Sequence, residues 1–326
     1  ADWPPMMEFF KRPELPPAEA QTIVDFSTAN PGVSSRYGWL AIDAQLQPLA
    51  VSRVVMRQDV DTRSFVGQTT NVARLAIDVA HLPPGQPIDV SLDGQQLDWI
   101  PWPEEVPQLW FARTENDWEV APPPSPRVKG PARNGMFKSV FDRDVLLVYG
   151  TGGTDEEDRW AEAKARYDAE TFLYRGNGHL EVVADTEFDP IGTIGRNVVL
   201  YGNADTNAAW SQLLGDCPVQ VRRGEVRVGE RTETGDGLAV LMVYPRADSE
   251  AAVIGVVAGT GPSGMALTNR LRYFVSGIGY PDLMVVDVAS LYEGIAGIRA
   301  WGYFGPDWSI DRADIAWRGE SPMSGP

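Results

Sequence analysis

The sequence predicts an α/β plus all-β chain, in which an antiparallel β-sandwich precedes an open, mostly parallel α/β sheet of Rossmann-like or flavodoxin-like type. Between residues 22 and 120, polar and apolar side chains alternate in short runs, a pattern typical of a sandwich. From Val145 onwards, apolar runs are followed by glycine turns and helical periodicity, which is typical of a parallel α/β sheet. A proline-rich stretch separates the two patterns and predicts a stiff linker.

These patterns divide the 326 residues into four predicted segments. They are a terminal helix at 1–16, the β-sandwich at 17–120, the proline-rich linker at 121–135 and the α/β domain at 136–326. At roughly 150 residues per domain, the length agrees with two domains.

Six short runs make up the predicted sandwich. They span residues 22–27, 37–44, 51–56, 73–79, 88–92 and 109–112. Asp93-Gly94 predicts a two-residue hairpin, because both central positions of that turn need positive φ. Asn116-Asp117 is a weaker signal for a second hairpin.

The α/β domain is predicted from continuous apolar runs, as buried parallel strands require. They span residues 145–149, 197–201, 238–244, 252–257 and 283–288. A long helix is predicted to begin near Thr154, and shorter helices are predicted at 206–214 and 263–275. Apolar and aromatic residues at three- and four-residue steps predict the buried face of the long helix. They are Trp160, Ala163, Tyr167, Thr171 and Tyr174.

The first segment predicts an amphipathic helix. Pro4 and Pro5 suit its first turn, and Met6, Phe9 and Phe10 share one apolar face. Because nothing ahead of this face supplies a core, we expect the segment to be the last helix of a domain whose body lies upstream of residue 1. The chain is therefore expected to be a fragment.

Five motifs carry a resemblance to a known family. They are DWPPMMEFF at 2–10, VDFSTANP at 24–31, RYGWL at 36–40, TNVARL at 70–75 and LVYGTGG at 147–153. Together they resemble the C-terminal portion of large bacterial prolyl-oligopeptidase-like α/β-hydrolases. The resemblance implies a serine hydrolase that cleaves ester or peptide bonds, an upstream α/β-hydrolase domain as partner, and a secreted or periplasmic location.

The catalytic residues of that family have no counterpart in this sequence. In the family the triad histidine would lie just before the first helix, and no residue here occupies that place. The nucleophile elbow Gly-x-Ser-x-Gly is also absent, since the nearest string, Gly261-Pro262-Ser263-Gly264-Met265, has its second glycine one position early. We therefore predict a non-catalytic C-terminal accessory region.

Charge and rare residues exclude several other classes. The net charge of -17, from 45 acidic and 28 basic residues, argues against nucleic acid and anionic membranes as partners. No apolar run approaches the ~20 residues of a membrane span. His81 and His179 have no metal-ligand spacing, and Cys217 is expected to be a small buried apolar residue. No metal or cofactor is predicted, although a Cys217/His179 pair is left open.

A ligand site at the sheet edge is the first alternative function. Glycine turns follow several predicted strands, so the polar residues beside them should gather at the carboxyl edge, where open α/β folds bind ligands. The candidates are Thr151, Asn203, Asp205, Asn207, Thr260 and Ser263. They favour an independent small-ligand or nucleotide-binding protein, whereas the competing interpretation is that glycine only permits tight turns. Four acidic residues at 155–158 should repel phosphate from the nearest helix.

Exposed tryptophans suggest a second alternative. Trp99 and Trp102 lie on a proline-stiffened segment and are candidates for an aromatic platform for a sugar or peptide, as in a carbohydrate-binding module. Trp301, Phe304 and Trp308 admit the same interpretation. Packing at a domain interface is the competing explanation for both clusters.

Overall fold

The computed structural model describes residues 3–11, 16–115 and 117–319. The chain is a mixed α/β protein rich in sheet, with both antiparallel and parallel strand pairs. It divides into two compact units, Ala1–Pro124 and Ser125–Pro326. The division falls within the proline-rich stretch that the sequence analysis interprets as a linker.

In its described residues, unit 1 holds one α-helix and ten strands. Helix α1 spans Pro4–Lys11, and the strands are β1 Ile23–Thr28, β2 Arg36–Tyr37, β3 Leu40–Gln45, β4 Ser52–Asp59, β5 Ser64–Thr70, β6 Val72–Asp78, β7 Ile88–Leu92, β8 Gln95–Ile100, β9 Gln108–Arg113 and β10 Trp118–Ala121. They form two five-stranded sheets, in the orders β1-β4-β5-β7-β8 and β10-β9-β6-β3-β2. Side chains from both sheets meet in one buried apolar cluster that includes Val54, Phe65, Leu75 and Phe111.

Most strand pairs of unit 1 are antiparallel, as the alternating pattern predicts, but β5 and β7 pair in parallel. The reason is the connection between them, because β6 belongs to the other sheet and the chain must cross to that sheet before it returns as β7. The Asp93-Gly94 hairpin is confirmed, since β7 and β8 pair antiparallel and both turn residues have positive φ. Asn116 of the second predicted hairpin lies outside the described residues, and β9 and β10 pair antiparallel on either side of it.

Unit 2 holds four helices and eleven strands among its described residues. The helices are α2 Asp155–Gly176, α3 Ala209–Leu214, α4 Pro262–Leu267 and α5 Ser290–Glu293. The strands are β11 Val145–Tyr149, β12 Glu181–Ala184, β13 Asn197–Tyr201, β14 Val219–Arg222, β15 Glu225–Val228, β16 Arg231–Thr234, β17 Leu238–Pro245, β18 Val253–Gly259, β19 Leu283–Asp287, β20 Ile298–Tyr303 and β21 Asp314–Trp317. Eight of them form one sheet in the order β12-β11-β13-β18-β17-β19-β20-β21, and β14-β15-β16 form a small antiparallel sheet.

The large sheet is half parallel rather than mostly parallel. Strands β12, β11, β13 and β18 run in parallel, whereas β17 and the strands beyond it pair antiparallel. The cause is the short loop between β17 and β18, which joins neighbours directly and so can only produce an antiparallel pair. Alternate residues of one strand belong to two buried clusters, with Leu146 in one and Leu147 in the other, so both faces of the sheet are covered.

Helix α2 begins where the sequence predicts but buries a different face. Thr154 caps it, accepting a hydrogen bond from the Glu157 N–H, while the Glu157 carboxylate accepts one from the Thr154 N–H. The predicted face was wrong, since Tyr167 is 60% and Tyr174 is 90% exposed. The buried residues of the helix are instead Glu157, Ala161, Lys164, Ala165 and Asp168.

Polar residues are tolerated on the buried face of α2 because their hydrogen-bonding groups have partners within the protein. The Asp168 carboxylate accepts hydrogen bonds from Lys164 Nζ at 2.7 Å and from the Tyr201 hydroxyl at 2.9 Å, and also one from the Tyr273 hydroxyl. Burial raises the pKa of Asp168 above its ordinary value, while Lys164 opposes that shift. The small Ala161 and Ala165 let the helix lie close to the sheet, which a face of tyrosines would prevent.

Candidate functional site

Four of the predicted ligand residues gather at the carboxyl edge of unit 2. Strands β11, β13 and β18 are parallel neighbours, so Thr151, Asn203 and Thr260 follow them at the same edge. Asp205 lies just beyond Asn203, and Ser263 is exposed in the first turn of α4. The side chains of the first four already have partners within the protein, as the following contacts show.

Thr151 is held by a carboxylate that follows the neighbouring strand β12. Its Oγ1 donates to Asp185 Oδ1 at 2.7 Å, and Asp185 Oδ2 accepts the Ala208 N–H at 2.6 Å. Asp185 therefore ties the turn after β11 to the start of α3. The Thr151 hydroxyl, which the sequence suggests as a ligand contact, instead hydrogen-bonds to Asp185 at the edge of the sheet.

Asn203 and Thr260 bind the backbone of neighbouring turns. Asn203 Nδ2 donates to the Gly259 carbonyl at 2.8 Å, and its Oδ1 accepts the Asp205 N–H at 3.0 Å. Thr260 Oγ1 donates to the Gly235 carbonyl at 2.6 Å. Both residues are buried, so these hydrogen bonds satisfy groups that water does not reach.

The small sheet β14-β15-β16 covers this edge, and the sequence analysis does not predict it. Asp205 Oδ1 accepts from the Arg222 guanidinium at 2.5 Å, and its Oδ2 accepts the Arg223 N–H at 2.9 Å. The Gly224 N–H donates to the Thr260 carbonyl at 2.8 Å. The hairpin between β14 and β15 therefore packs against the turns that follow β13 and β18.

The glycines of the edge have a packing role. A Cβ on Gly150 would overlap the Thr206 carbonyl oxygen, and a Cβ on Gly264 would overlap the Leu238 carbonyl oxygen. Both obstacles are backbone atoms, which cannot rotate away. These contacts support the interpretation that the glycines allow close approach of the chain to itself, and the ligand site at this edge stays a prediction.

The start of α2 is occupied by the carboxylates of the protein. The Gly153 N–H donates to Asp158 Oδ1 at 2.8 Å, and Glu157 pairs with the Arg223 guanidinium at 3.0 and 2.7 Å. Hydrogen bonds from Arg223, opposed by burial and assisted by those from Thr154, lower the pKa of Glu157 to about 2. This helix end is already neutralised by fixed negative charge, which is unfavourable for a phosphate group.

Among the residues that the structure describes, no hydrogen bond joins Cys217 to either histidine. His81 lies beside Gln58, with a ring nitrogen 2.6 Å from Oε1, and its pKa is lowered by burial. Burial raises the pKa of Cys217 to about 12, so its thiol stays protonated at neutral pH. His179 is exposed, whereas Cys217 lies in an apolar cluster. Within the described ranges, no group of three or more His, Cys, Asp or Glu side chains could hold a metal ion.

Unit 1 contains an open groove where the sequence suggests an aromatic platform. Its volume is about 610 Å³, within the range of ligand sites. The lining residues are Pro84, Gly85, Gln86, Pro87, Trp99, Pro101, Trp102 and Glu104. Trp99 is 77% exposed, whereas Trp102 packs partly against the core of the unit. The structure thus brings the two predicted tryptophans to one site.

Arg63 fixes two sides of the groove. Its guanidinium donates to the carbonyls of Pro83, Gln86 and Pro87 at 2.8, 2.8 and 3.1 Å, which holds the proline-rich loop in place. The same guanidinium lies 5.7 Å from the centroid of the Trp102 ring. The buried arginine therefore joins the loop to the aromatic segment opposite it. The role of Arg63 was not predicted, because an isolated arginine in a turn gives no sequence signal for it.

A β-bulge presents Trp99 to solvent. Strand β8 places two residues, Asp98 and Trp99, opposite the single Asp89 of β7. Trp99 has φ of 58°, a value rare for a bulky side chain, and its N–H donates to Asp89 Oδ1 at 2.9 Å. The carboxylate of Asp89 stabilises this conformation.

The other predicted aromatic cluster is mainly core. Phe304 and Trp308 are each 2% exposed and pack in the large cluster of unit 2, which supports the packing explanation for them. Trp301 is 47% exposed. Unit 2 also has a second depression of about 600 Å³, but there the Arg231 guanidinium lies 4.1 Å from the centroid of the Trp317 ring. Trp317 is therefore already in contact with a cation.

Two further observations limit what can be assigned to this chain as a function. In the part of the chain that the structure describes, no helix combines the length and the apolar character needed to cross a membrane. No family model matches the sequence, and the comparison with curated proteins finds no significant match. The contacts within the chain are therefore the basis of the functional proposal.

Proposed function

We propose that this chain is a non-catalytic accessory region of a prolyl-oligopeptidase-like serine hydrolase that acts on ester or peptide bonds. The observation that carries the proposal is that the polar residues beside the glycine turns hydrogen-bond within the protein. Thr151, Asn203, Asp205 and Thr260 each close the edge of a sheet. Residues with these contacts stabilise the fold rather than take part in a reaction.

The finer architecture is part of the same proposal. We infer a β-sandwich in unit 1, supported by its two five-stranded sheets and their common buried cluster. We infer a Rossmann-like half in unit 2, supported by the four adjacent parallel strands and the α2 connection between β11 and β12.

The motifs that resemble the hydrolase family serve packing and turns, which supports an accessory role. In the RYGWL motif, Gly38 has positive φ between β2 and β3, and Trp39 is buried with its Nε1 donating to the Gln21 carbonyl at 2.9 Å. In the TNVARL motif, Asn71 has positive φ between β5 and β6. Its side-chain amide donates to the Gln47 and Ala50 carbonyls at 2.9 and 3.0 Å.

Helix α1 supports the proposed partner. Trp3, Phe9 and Phe10 are 63%, 65% and 66% exposed, and the helix has no buried residue. An apolar face of this kind marks an interaction surface. The proposal assigns it to an α/β-hydrolase domain and, with the resemblance, a secreted or periplasmic location.

Two experiments test this function. Assays with p-nitrophenyl esters and peptide anilides should show no turnover above background, and Ser263→Ala should leave that result unchanged. Turnover that disappears in Ser263→Ala would contradict the non-catalytic assignment. Sequencing the DNA upstream of residue 1 tests the hydrolase assignment separately, because the proposal requires an in-frame Gly-x-Ser-x-Gly elbow there. An intact gene without that elbow would overturn it.

A further inference from the structure

We propose that the groove of unit 1 binds a proline-rich peptide segment that carries a basic side chain. The binding would use the exposed ring of Trp99, the pyrrolidine walls of the groove and the carboxylate of Glu104. This inference goes beyond the accessory role, because it assigns a ligand class to a site that the hydrolase resemblance does not mention.

Contacts within unit 1 order the groove before any ligand binds. Arg63 is buried and uses its guanidinium to hold the carbonyls of Pro83, Gln86 and Pro87. Its cation–π contact with Trp102, at 5.7 Å from the ring centroid, helps to hold the opposite side. A site that is already ordered loses little conformational entropy when it binds, which favours affinity.

Trp99 is exposed and its backbone is strained. A bulky residue with φ of 58° at a bulge is unfavourable, and glycine would fit this position better. The side chain is 77% exposed, so packing within the unit does little to offset the strain. Such outliers concentrate at functional sites, and here the bulge directs a large aromatic ring into a groove.

The groove carries a negative charge. Glu104 is the one ionisable side chain that lines it, and among the residues described it has no ion-pair partner. The nearby cation, Arg63, is buried and already bound to three carbonyls. The groove therefore favours a cation and disfavours an anion, and the net charge of -17 adds a long-range attraction for basic ligands.

The lining favours a proline-rich peptide over a carbohydrate. A sugar ring carries several hydroxyl groups, and each one that loses water needs a hydrogen-bond partner. Gln86 and Glu104 are the only lining side chains with amide or carboxylate groups. Proline rings have no such requirement, they stack on aromatic side chains, and the polyproline II conformation is already ordered before binding.

Calorimetric titration with synthetic peptides tests the proposal directly. The probes are an acetylated Arg-Pro-Pro-Ala-Pro-Pro peptide, the same peptide with Glu in place of Arg, the same peptide with alanine in place of every proline, and the oligosaccharides cellohexaose and chitohexaose. We expect the first peptide to bind most tightly. Equal affinity for the alanine peptide, tighter binding of the acidic peptide or of an oligosaccharide, or no detectable binding of the first peptide would overturn the proposal.

Matched variants locate the binding. Trp99→Ala should weaken the Arg-Pro-Pro-Ala-Pro-Pro complex by at least about tenfold, as expected for an aromatic hot spot, whereas Trp301→Ala should not change it. Glu104→Gln should weaken it by about two- to fivefold and reduce its salt dependence, whereas Glu105→Gln, the adjacent exposed carboxylate, should have little effect. Trp99→Phe, which keeps an aromatic ring, should retain part of the affinity. Near-ultraviolet circular dichroism checks that each variant is folded, and binding that survives in folded Trp99→Ala would contradict the assignment.

Discussion

The carboxyl edge of unit 2 and the groove of unit 1 use their most conspicuous side chains in opposite ways. At the edge, Thr151, Asn203 and Thr260 point to a ligand site in the sequence, yet each bonds to the chain itself. In the groove, Trp99 is held outward at a strained bulge. The comparison teaches that polar residues beside glycine turns stabilise the fold when a neighbouring segment fills the edge, whereas strained exposure of an aromatic ring indicates binding.

Removing Asp168 should produce the largest loss of stability, because the buried polar groups of unit 2 hydrogen-bond to one another. Asp168→Ala leaves the buried Lys164 ammonium without its carboxylate and two tyrosine hydroxyls without their acceptor. We expect the free energy of unfolding in urea to fall by about 3–5 kcal/mol. Arg166→Ala, which breaks the exposed pair with Glu162 on the same helix, is the control and should cost about 0.5 kcal/mol or less. Similar losses in the two variants would show that the buried network is not structural.

Adding a methyl group at Gly264 tests whether the edge is closed by backbone contact. Gly264→Ala places Cβ against the Leu238 carbonyl oxygen, and we expect a loss of about 3 kcal/mol in urea unfolding. Gly195→Ala is the matched control, because no atom lies within 4 Å of its Cβ position. That substitution should change stability by at most about 0.5 kcal/mol. An unchanged midpoint for Gly264→Ala would mean that close backbone contact at Gly264 does not close the edge.

Part of this organisation follows from the sequence. Continuous apolar runs predict β11, β13 and β17 because parallel or central strands bury both faces, and Thr154 with Glu157 is a local helix-start signal. The buried face of α2 does not follow, since two of the three groups that hydrogen-bond to Asp168 are tyrosines far away in the chain.

The two candidate sites could be predicted from the sequence to different degrees. Trp99 and Trp102 lie on one short segment, so their proximity could be predicted locally. The role of Arg63 could not, because its three carbonyl partners lie 20 to 24 residues further along the chain. Strands β14 and β15 alternate valine with polar residues, but each is only four residues long, and β16 has no apolar residue. Runs this short are weak strand signals, and missing them left the carboxyl edge open in the prediction.

The charge at the start of α2 gives a pH-dependent test. The pKa of Glu157 is about 2 in the folded chain and 4.5 ordinarily, so its contribution to stability is complete above about pH 4.5 and is lost as the pH falls toward about 2. Because Arg223 is half exposed, we expect Glu157→Gln to cost about 1–2 kcal/mol at about pH 7 and much less at about pH 2.5. Urea titrations at the two pH values measure the difference, with Glu156→Gln as the control. A cost that is constant with pH would contradict the role of the ion pair with Arg223.

The smallest expected effect is at Trp99, where the sign of the stability difference between the glycine and alanine variants is informative. At φ of 58° a residue with Cβ is strained, so Trp99→Gly should be more stable than Trp99→Ala by about 1 kcal/mol. Trp301 is exposed in strand β20 and is not among the residues with positive φ, so there the order should reverse and alanine should exceed glycine by about 0.5–1 kcal/mol. Thermal unfolding of the four variants measures both differences. If alanine were more stable than glycine at position 99 as well, the bulge would be unstrained, and Trp99 would not be held outward at a cost to stability.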